Sequence, residues 1–218
     1  ISFLNKVVKM LDNDLSTGSD FDCIIRSVQG HFSFIISNKE KLLCCVDRVR
    51  TIPIFYALTS TEVIVGNFAP DISTIVGVNK NEYNKQAILE ISMSGYTIGK
   101  KTLHPQILQL CAGELLIVRD DKVEVSEYYR YSPWQVTEKS KTNLKKELTE
   151  VSRTILEDMV KSADGRQFVV PLSAGNDSRF IVSGLKELGV KDVICFSYGV
   201  NNNFEVRTAK DVANHLSY

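Results

Sequence analysis

The sequence predicts an α+β antiparallel sandwich followed by an α/β parallel sheet. Up to about residue 130, short apolar runs are separated by turn residues, a pattern typical of antiparallel strands. A polar stretch with a proline follows at residues 131–142, and beyond it helical and strand patterns alternate. That alternation favours parallel strands joined by crossover helices. We therefore expect two domains, at residues 1–135 and 143–218.

The first domain contains most of the strand signals. Turn residues at 38–40 and 120–121 separate neighbouring runs, which predicts hairpins. Helical periodicity occurs at residues 3–11 and 83–93, and in the second of these Ala87, Ile88, Ile91 and Met93 are expected to form one face. The strands are predicted at residues 23–28, 31–37, 41–47, 54–58, 62–66, 114–119 and 122–128.

The second domain begins with an amphipathic helix from Asn143. Its apolar residues recur at the spacing of one helix face that packs on a neighbour: Leu144, Leu148, Val151, Ile155, Leu156 and Met159. A strand at 168–172, a helix at about 178–188 that Gly189 ends, a strand at 193–197 and a helix at about 204–216 follow. We expect the chain to be truncated at both ends, with the rest of this sheet missing.

Composition narrows the choice of partners. Lysine plus arginine and aspartate plus glutamate both number 26, so no net charge draws the chain to nucleic acid or an anionic membrane. No apolar run reaches the roughly 18 residues of a membrane span, and the first residues lack a signal-peptide pattern. We expect a soluble cytoplasmic protein. Cysteines without a CxxC pair favour buried thiols over a disulfide or metal site: Cys23, Cys44, Cys45, Cys111 and Cys195.

The loop after the first strand of the second domain has the chemistry of an anion site. It reads Ser173-Ala174-Gly175-Asn176-Asp177-Ser178 and places small residues and hydroxyls at a helix N-terminus, where backbone N–H groups favour phosphate. Asp177 would repel a bare polyphosphate, so its presence makes sense if it holds Mg²⁺ that bridges the phosphates. The alternative is that Asn176, Asp177 and Ser178 only cap the helix.

The segment PLSAGNDSRF resembles the SGGxDS pyrophosphate loop of asparagine synthetases and other N-type ATP pyrophosphatases, and LKELGVKDVICFSYG and FEVRTAKDVANHL are similar to the elements that follow it there. The resemblance implies an adenine-nucleotide α-hydrolase-like domain that binds ATP and Mg²⁺. Ala174 stands where glycine is usual, which would weaken phosphate binding if the position needs a positive φ. Glu205 falls at a position often acidic in that family, and a solvated helix face is the preferred interpretation.

The same resemblance implies the roles of the loop residues. Ser173, Gly175, Asn176 and Ser178 would hold the pyrophosphate, and Asp177 would hold the magnesium. Leu172, Ser197 and Tyr198 would lie beside adenosine.

The first domain resembles the class II glutamine amidotransferase domain of the same family, a glutaminase-like sandwich of the N-terminal nucleophile type. GHFSF at 30–34 resembles its NGxFAF strand, and DRVRTIPIFY at 47–56 resembles its RDRxGxxPLYY strand pair, with Val46 and Arg50 where arginine and glycine are usual. KKTLHPQILQLCAGELLIV is similar to a segment near the end of that domain. No catalytic residue is assigned. Cys23, Cys44 and Cys45 are excluded because this mechanism uses the nucleophile's own α-amine as base. TGSD at 17–20 is interpreted as a turn.

Together these resemblances imply an asparagine synthetase-like ligase. It would adenylate a carboxylate, with aspartate expected, using MgATP, and would amidate it with ammonia from glutamine; the fragment alone is expected to be inactive. The alternatives are a paralogue that amidates another carboxylate or closes a lactam, and a non-catalytic nucleotide-binding module. The expected partners are these small molecules, without nucleic acid or membrane, and the family's habit of pairing subunits allows a homodimer.

Overall fold

The structure is a computed structural model that describes residue 5 and residues 24–28, 30–78, 82–120, 122–134, 138–200 and 203–218. The chain divides into two units, Ile1–Trp134 and Gln135–Tyr218. Within the described ranges, no helix is long and apolar enough to cross a membrane.

The first unit contains two antiparallel sheets. Their strands are β1 (Ser33–Ser37), β2 (Lys41–Val46), β3 (Phe55–Leu58), β4 (Val63–Gly66), β5 (Ile107–Gln109), β6 (Glu114–Arg119) and β7 (Lys122–Glu127). One sheet has four strands in the order β1-β2-β6-β7, and the other has three in the order β4-β3-β5. All predicted strands from residue 31 onward are present within one or two residues of their predicted ends, whereas β5 was not predicted.

Both faces of the central strands β2 and β6 are covered, which explains why these strands read as continuous apolar runs. The register pairs Cys44 with Leu116 and Leu43 with Ile117. Leu43 and Ile117 belong to the core on the outer face of the four-stranded sheet. Cys44 and Leu116 share a second core with Tyr56 of β3. The two sheets therefore enclose one apolar core between them, as in a sandwich.

Helix α1 (Ala69–Val76) covers the outer face of the three-stranded sheet and was not predicted. Its Ile72 is buried with Ala57 of β3 and Ile107 of β5. The helix is short and has a proline in its first turn, so its sequence resembles the turns that surround it.

Helix α2 (Lys85–Ser94) begins after Asn84, whose side chain accepts backbone N–H groups of the first turn. The predicted apolar face is partly wrong. Ala87 is buried, but Ile88 is 43% exposed and Met93 is 79% exposed. Residues four apart share a helix face, so the inward face contains Ala87 and Ile91, and the other two point away from it.

The strand predicted at residues 23–28 is wrong where the structure describes it. Residues 24–26 are helical and a turn follows, because the N–H groups of Ser27 and Val28 donate to the carbonyls of Ile24 and Ile25. Ile25 is fully buried against the four-stranded sheet. Cys23 lies outside the described residues, as does the predicted helix at 3–11 apart from its residue 5.

Asp47 holds together the loop that follows β2. It is 1% exposed, and its carboxylate accepts N–H groups from Phe32 at 3.1 Å, Val49 at 2.9 Å and Thr51 at 3.1 Å. Burial would raise the pKa of this carboxyl, but the hydrogen bonds to its ionised form outweigh burial and keep the pKa below its ordinary value. Its backbone carbonyl accepts the N–H of Gly113 at 3.0 Å. One residue thus connects β1, the loop and the start of β6.

The second unit contains a two-stranded parallel sheet. The elements follow in the order α3 (Lys141–Ala163), β8 (Phe168–Pro171), α4 (Asn176–Glu187), β9 (Val193–Phe196) and α5 (Phe204–Leu216). The register places Val169 opposite Ile194, in parallel as the alternation of helix and strand predicts. Val182 and Leu185 of α4 and Ala209 of α5 share one core with the strands.

Helix α3 packs through a smaller part of its surface than the periodicity predicts. Leu156 is buried and Met159 packs on the core. Leu156 lies so close to Gly184 of α4 that a Cβ added to this glycine would fall inside the 3.0 Å limit of real Cβ contacts. The other apolar residues of the predicted face are exposed: Leu144, Leu148, Val151 and Ile155.

Candidate functional site

The carboxyl ends of β8 and β9 lie at one edge of the parallel sheet, and this is the edge where ligands bind in open α/β sheets. Leu172 follows β8, and its N–H donates to the carbonyl of Phe196 at 2.8 Å. Ser197 is the first residue after β9. The predicted loop, whose first residue is Ser173, therefore begins at this edge.

Two serine hydroxyls organise the loop. Ser173 Oγ and Ser178 Oγ are 3.0 Å apart, within hydrogen-bond distance. Ser178 Oγ also accepts the N–H of Ser173 at 3.1 Å, and Ser173 Oγ accepts the N–H of Gly175 at 3.1 Å. The structure thus brings together three of the predicted pyrophosphate ligands in one hydrogen-bonded turn.

Helix α4 begins at Asn176, inside the predicted loop, with Gly175 as its N-cap. No side chain accepts a capping hydrogen bond at this end, so the N–H groups of the first turn have no intrahelical partner and stay available to a ligand. The interpretation that Asn176, Asp177 and Ser178 only cap the helix does not match this geometry. Asn176 Oδ1 accepts from Arg179 Nη2 at 2.6 Å, and Asp177 is exposed in the first turn.

Ala174 does not have a positive φ, so this position does not require glycine for its backbone conformation. Its N–H donates to Glu205 Oε2 at 3.0 Å. The interpretation of Glu205 as part of a solvated helix face is therefore incomplete, because its carboxylate contacts the loop. The acidic position in the resembling family was the signal that pointed to this residue.

A cavity of about 320 Å³ lies beside the strand ends. Leu172 and Ser197 both line it, together with Phe196 and Ala209. Tyr198 is not among its lining residues; this side chain is 81% exposed, and its ring centroid is 6.5 Å from that of Phe196. Two of the three residues predicted to lie beside adenosine thus share one cavity.

The family match lies in the first unit. The profile of the glutamine amidotransferase domain matches residues 16–129, which is more than half of the chain. This chain belongs to the glutamine amidotransferase domain family. The match includes β1 to β7 and ends before the second unit.

The described cysteines of the amidotransferase domain have the properties of core residues. Cys44 and Cys45 are fully buried. Burial raises the pKa of Cys44 to about 12 and also raises the pKa of Cys111, so these thiols stay protonated and weakly nucleophilic at neutral pH. Cys23 and the predicted turn at residues 17–20 lie outside the described residues.

Two further comparisons add little. No curated protein matches the chain. A solved structure described as the allosteric regulatory enzyme of purine biosynthesis is similar to it at 10% identity and a TM-score of 0.37. That likeness covers 94% of this chain and 41% of the other, and a score this low supports no argument about fold or function.

Proposed function

We propose that this chain serves a glutamine-dependent ligase, in which ammonia from glutamine amidates a carboxylate that ATP has activated. Membership of the glutamine amidotransferase domain family supports the use of glutamine. The observation that carries the ATP half is the loop after β8, where two serine hydroxyls and an uncapped helix N-terminus meet at the carboxyl edge of the sheet. Asparagine synthesis from aspartate is the leading reaction, because the loop resembles that of asparagine synthetases.

Pyrophosphate is the group that this loop suits best. Ser173, Ser178 and the first-turn N–H groups can donate hydrogen bonds to phosphate oxygens. Asp177 lies in the same turn, and Glu205 accepts a loop N–H, so a bare polyphosphate would meet two negative charges. Carboxylate oxygens are ligands that Mg²⁺ prefers, and the donor set fits Mg²⁺ held jointly with phosphate oxygens. Bound there, Mg²⁺ would neutralise charge on the departing pyrophosphate.

The cavity of about 320 Å³ is the proposed place of adenosine. Leu172, the first residue after β8, would contact the base, and so would Ser197, the first residue after β9. Tyr198 does not line this cavity, so its contact with adenosine stays a prediction.

The proposed reaction has two bond exchanges. An oxygen of the acceptor carboxylate attacks the α-phosphorus of ATP, the α–β bond breaks, and pyrophosphate leaves. Ammonia then attacks the acyl carbon of the acyl-adenylate, and AMP leaves with the acyl oxygen. Hydrolysis of glutamine supplies the ammonia and yields glutamate. The loop residues act by positioning and by stabilising charge.

Titration calorimetry of the 218-residue chain with MgATP tests the ATP half of this proposal. Asp177→Asn removes the carboxylate with little change of shape. Asp158→Asn is the matched control, because it removes the same charge from an exposed position on α3. We expect Asp177→Asn to weaken binding by about tenfold or more and Asp158→Asn to leave it unchanged. Folded wild type that binds no MgATP, or Asp177→Asn that binds it equally well, would contradict the proposal.

A non-catalytic nucleotide-binding module is the second candidate. It is favoured by the position of Glu205, because the Glu205 carboxylate already accepts the hydrogen bond from the Ala174 N–H that a phosphate would otherwise accept. The module would be supported if a protein that contains this chain binds MgATP tightly but does not exchange labelled pyrophosphate into ATP when a carboxylate is present. Exchange that requires a carboxylate would support the ligase.

A further inference from the structure

Arg50 has a left-handed backbone conformation that arginine rarely adopts. Its φ is 56°, in a region that favours glycine and, after it, asparagine and aspartate. The other described non-glycine residues of this kind lie at a hairpin turn or at helix C-caps: Asp120, Asp164 and Ser217. Arg50 stands where the resembling motif has glycine. Glycine would adopt this conformation without strain, so the presence of arginine points to a role for its side chain.

The guanidinium of Arg50 is held from two sides. Its Nη2 donates to Gln109 Oε1 at 2.6 Å, and its Cζ lies 5.6 Å from the centroid of the Phe55 ring. Gln109 is itself fixed, because its Nε2 donates to the carbonyl of Gly99 at 2.8 Å and to the Thr97 hydroxyl at 3.2 Å. The guanidinium is thus positioned before any ligand arrives.

The charge of Arg50 is not balanced by the described part of the chain. Within the described ranges, no carboxylate lies at salt-bridge distance from its guanidinium, and its buried Nε has no hydrogen-bond partner. Lys100 and Lys101, by contrast, pair with Glu114 and Glu90. Burial lowers the pKa of the Arg50 guanidinium, the direction expected for a cation without a counter-ion. A half-buried cation without a counter-ion is stabilised by an anion that binds beside it.

A cavity of about 400 Å³ opens beside this guanidinium. We propose that the cavity binds a small organic carboxylate with an apolar body. Arg50 would donate to the carboxylate through the Nη hydrogens that Gln109 does not accept. The apolar body would contact the side chains that line the rest of the cavity: Phe55, Ile91, Tyr96 and Leu103.

The threonine hydroxyls of the cavity wall are already engaged. The hydroxyl of Thr102 donates to the carbonyl of Ile107 at 2.7 Å, and that of Thr97 donates to the carbonyl of Lys101 at 2.8 Å. Arg50 is therefore the charged donor that the described lining offers. The planar guanidinium can bind a carboxylate through two donors, and the apolar side chains of the lining favour a ligand with an apolar body over inorganic phosphate. The site belongs to the amidotransferase domain, and its test is independent of ATP binding.

Benzoate is a suitable probe, because it joins a carboxylate to a compact apolar ring. Benzamide is its neutral isostere, and inorganic phosphate tests a generic anion. Arg50→Gly removes the guanidinium and supplies the residue that a φ of 56° favours, so the variant is expected to fold. Asp120→Gly is the matched control, since it makes the same backbone change at a φ of 48° away from the cavity. Thermal unfolding verifies that each variant is folded.

Titration of the full chain, followed by calorimetry and by ligand-observed NMR, gives the result. We expect saturable binding of benzoate with a dissociation constant of about 1 mM. Arg50→Gly is expected to bind benzoate at least about tenfold more weakly, and Asp120→Gly is expected to bind it as the wild type does. Benzamide and phosphate are expected to bind at least about tenfold more weakly than benzoate. Absence of benzoate binding to folded wild type, equal binding by Arg50→Gly, or equal binding of benzamide or phosphate overturns the proposal.

Discussion

Gly113→Ala is expected to destabilise the amidotransferase domain more than the same substitution at Gly77 or Gly95. Gly113 precedes β6 with a φ of 71°. Its N–H donates to the carbonyl of Asp47, and its own carbonyl accepts the N–H groups of Tyr128 at 2.9 Å and Tyr129 at 3.2 Å. A Cβ at this position would fall well inside the 3.0 Å limit from the Tyr129 carbonyl oxygen. That oxygen belongs to the backbone and cannot rotate away.

The magnitude follows from two effects. A left-handed conformation costs an L-residue about 1–2 kcal/mol. Relief of the clash requires the Tyr129 carbonyl to move by roughly 1 Å in a close-packed interior. This movement weakens the two hydrogen bonds that the Gly113 carbonyl accepts. It also disturbs the buried Tyr128, whose hydroxyl donates to the Val46 carbonyl at 2.8 Å. Each weakened buried bond costs about 1 kcal/mol or more. We expect a loss of about 3–5 kcal/mol in the free energy of unfolding.

Urea unfolding, followed by hydrogen exchange on peptides from each unit, is the assay. Gly77→Ala and Gly95→Ala are matched controls, because both glycines have a positive φ but no atom within 4 Å of an added Cβ. The controls are expected to lose about 1–2 kcal/mol, from backbone conformation alone. If Gly113→Ala loses no more than these controls, the contact with Tyr129 does not restrain the domain and the reasoning is refuted.

Two further predictions concern the two units separately. The pKa of Asp47 in the folded state lies below its unfolded value, so the unfolded state takes up a proton first as the pH falls. The contribution of Asp47 to stability is therefore expected to be complete above about pH 4 and to decline below it. The urea midpoints of Asp47→Asn should lack this part of the pH dependence. Gly184→Ala is expected to lower the free energy of unfolding of the second unit by about 1–3 kcal/mol, because the added Cβ meets the side chain of Leu156. A double-mutant cycle with Leu156→Ala, measured by thermal unfolding, should show that Gly184→Ala costs much less once the Leu156 side chain has been shortened.

Strands with strong local signals were predictable from the sequence. β6 and β7 are consecutive strands that pair in antiparallel, and both predicted starts are correct. β5 is only three residues long and lies between turn-forming residues, so it offers no periodicity to detect. The apolar pair Ile24-Ile25 has β-branched side chains typical of a strand, but local hydrogen bonds from Ser27 and Val28 make it a helical turn.

The candidate nucleotide site was predictable only as far as it is local. The strand, loop and helix from Leu172 to Ser178 are contiguous in sequence, and the chemistry of the loop is visible in six residues. The contact of Glu205 with Ala174 spans 31 residues, and nothing in the local pattern of α5 distinguishes a carboxylate that turns toward the loop from one that faces water. The same limit applies to Arg50 and Gln109, which are 59 residues apart.

The three departures from the resembling motifs differ in meaning because the backbone differs at each position. Ala174 replaces a glycine where φ is not positive, so the substitution leaves the loop conformation accessible. Val46 replaces an arginine at a fully buried position, where its side chain joins the core between the sheets and a charge would need a partner. Arg50 replaces a glycine at a φ of 56°, where a side chain adds strain and the apolar core gains nothing from it. Of the three substitutions, only Arg50 introduces a strained residue and a charge without a counter-charge in the described structure, and this combination is why the substitution itself points to the proposed carboxylate site.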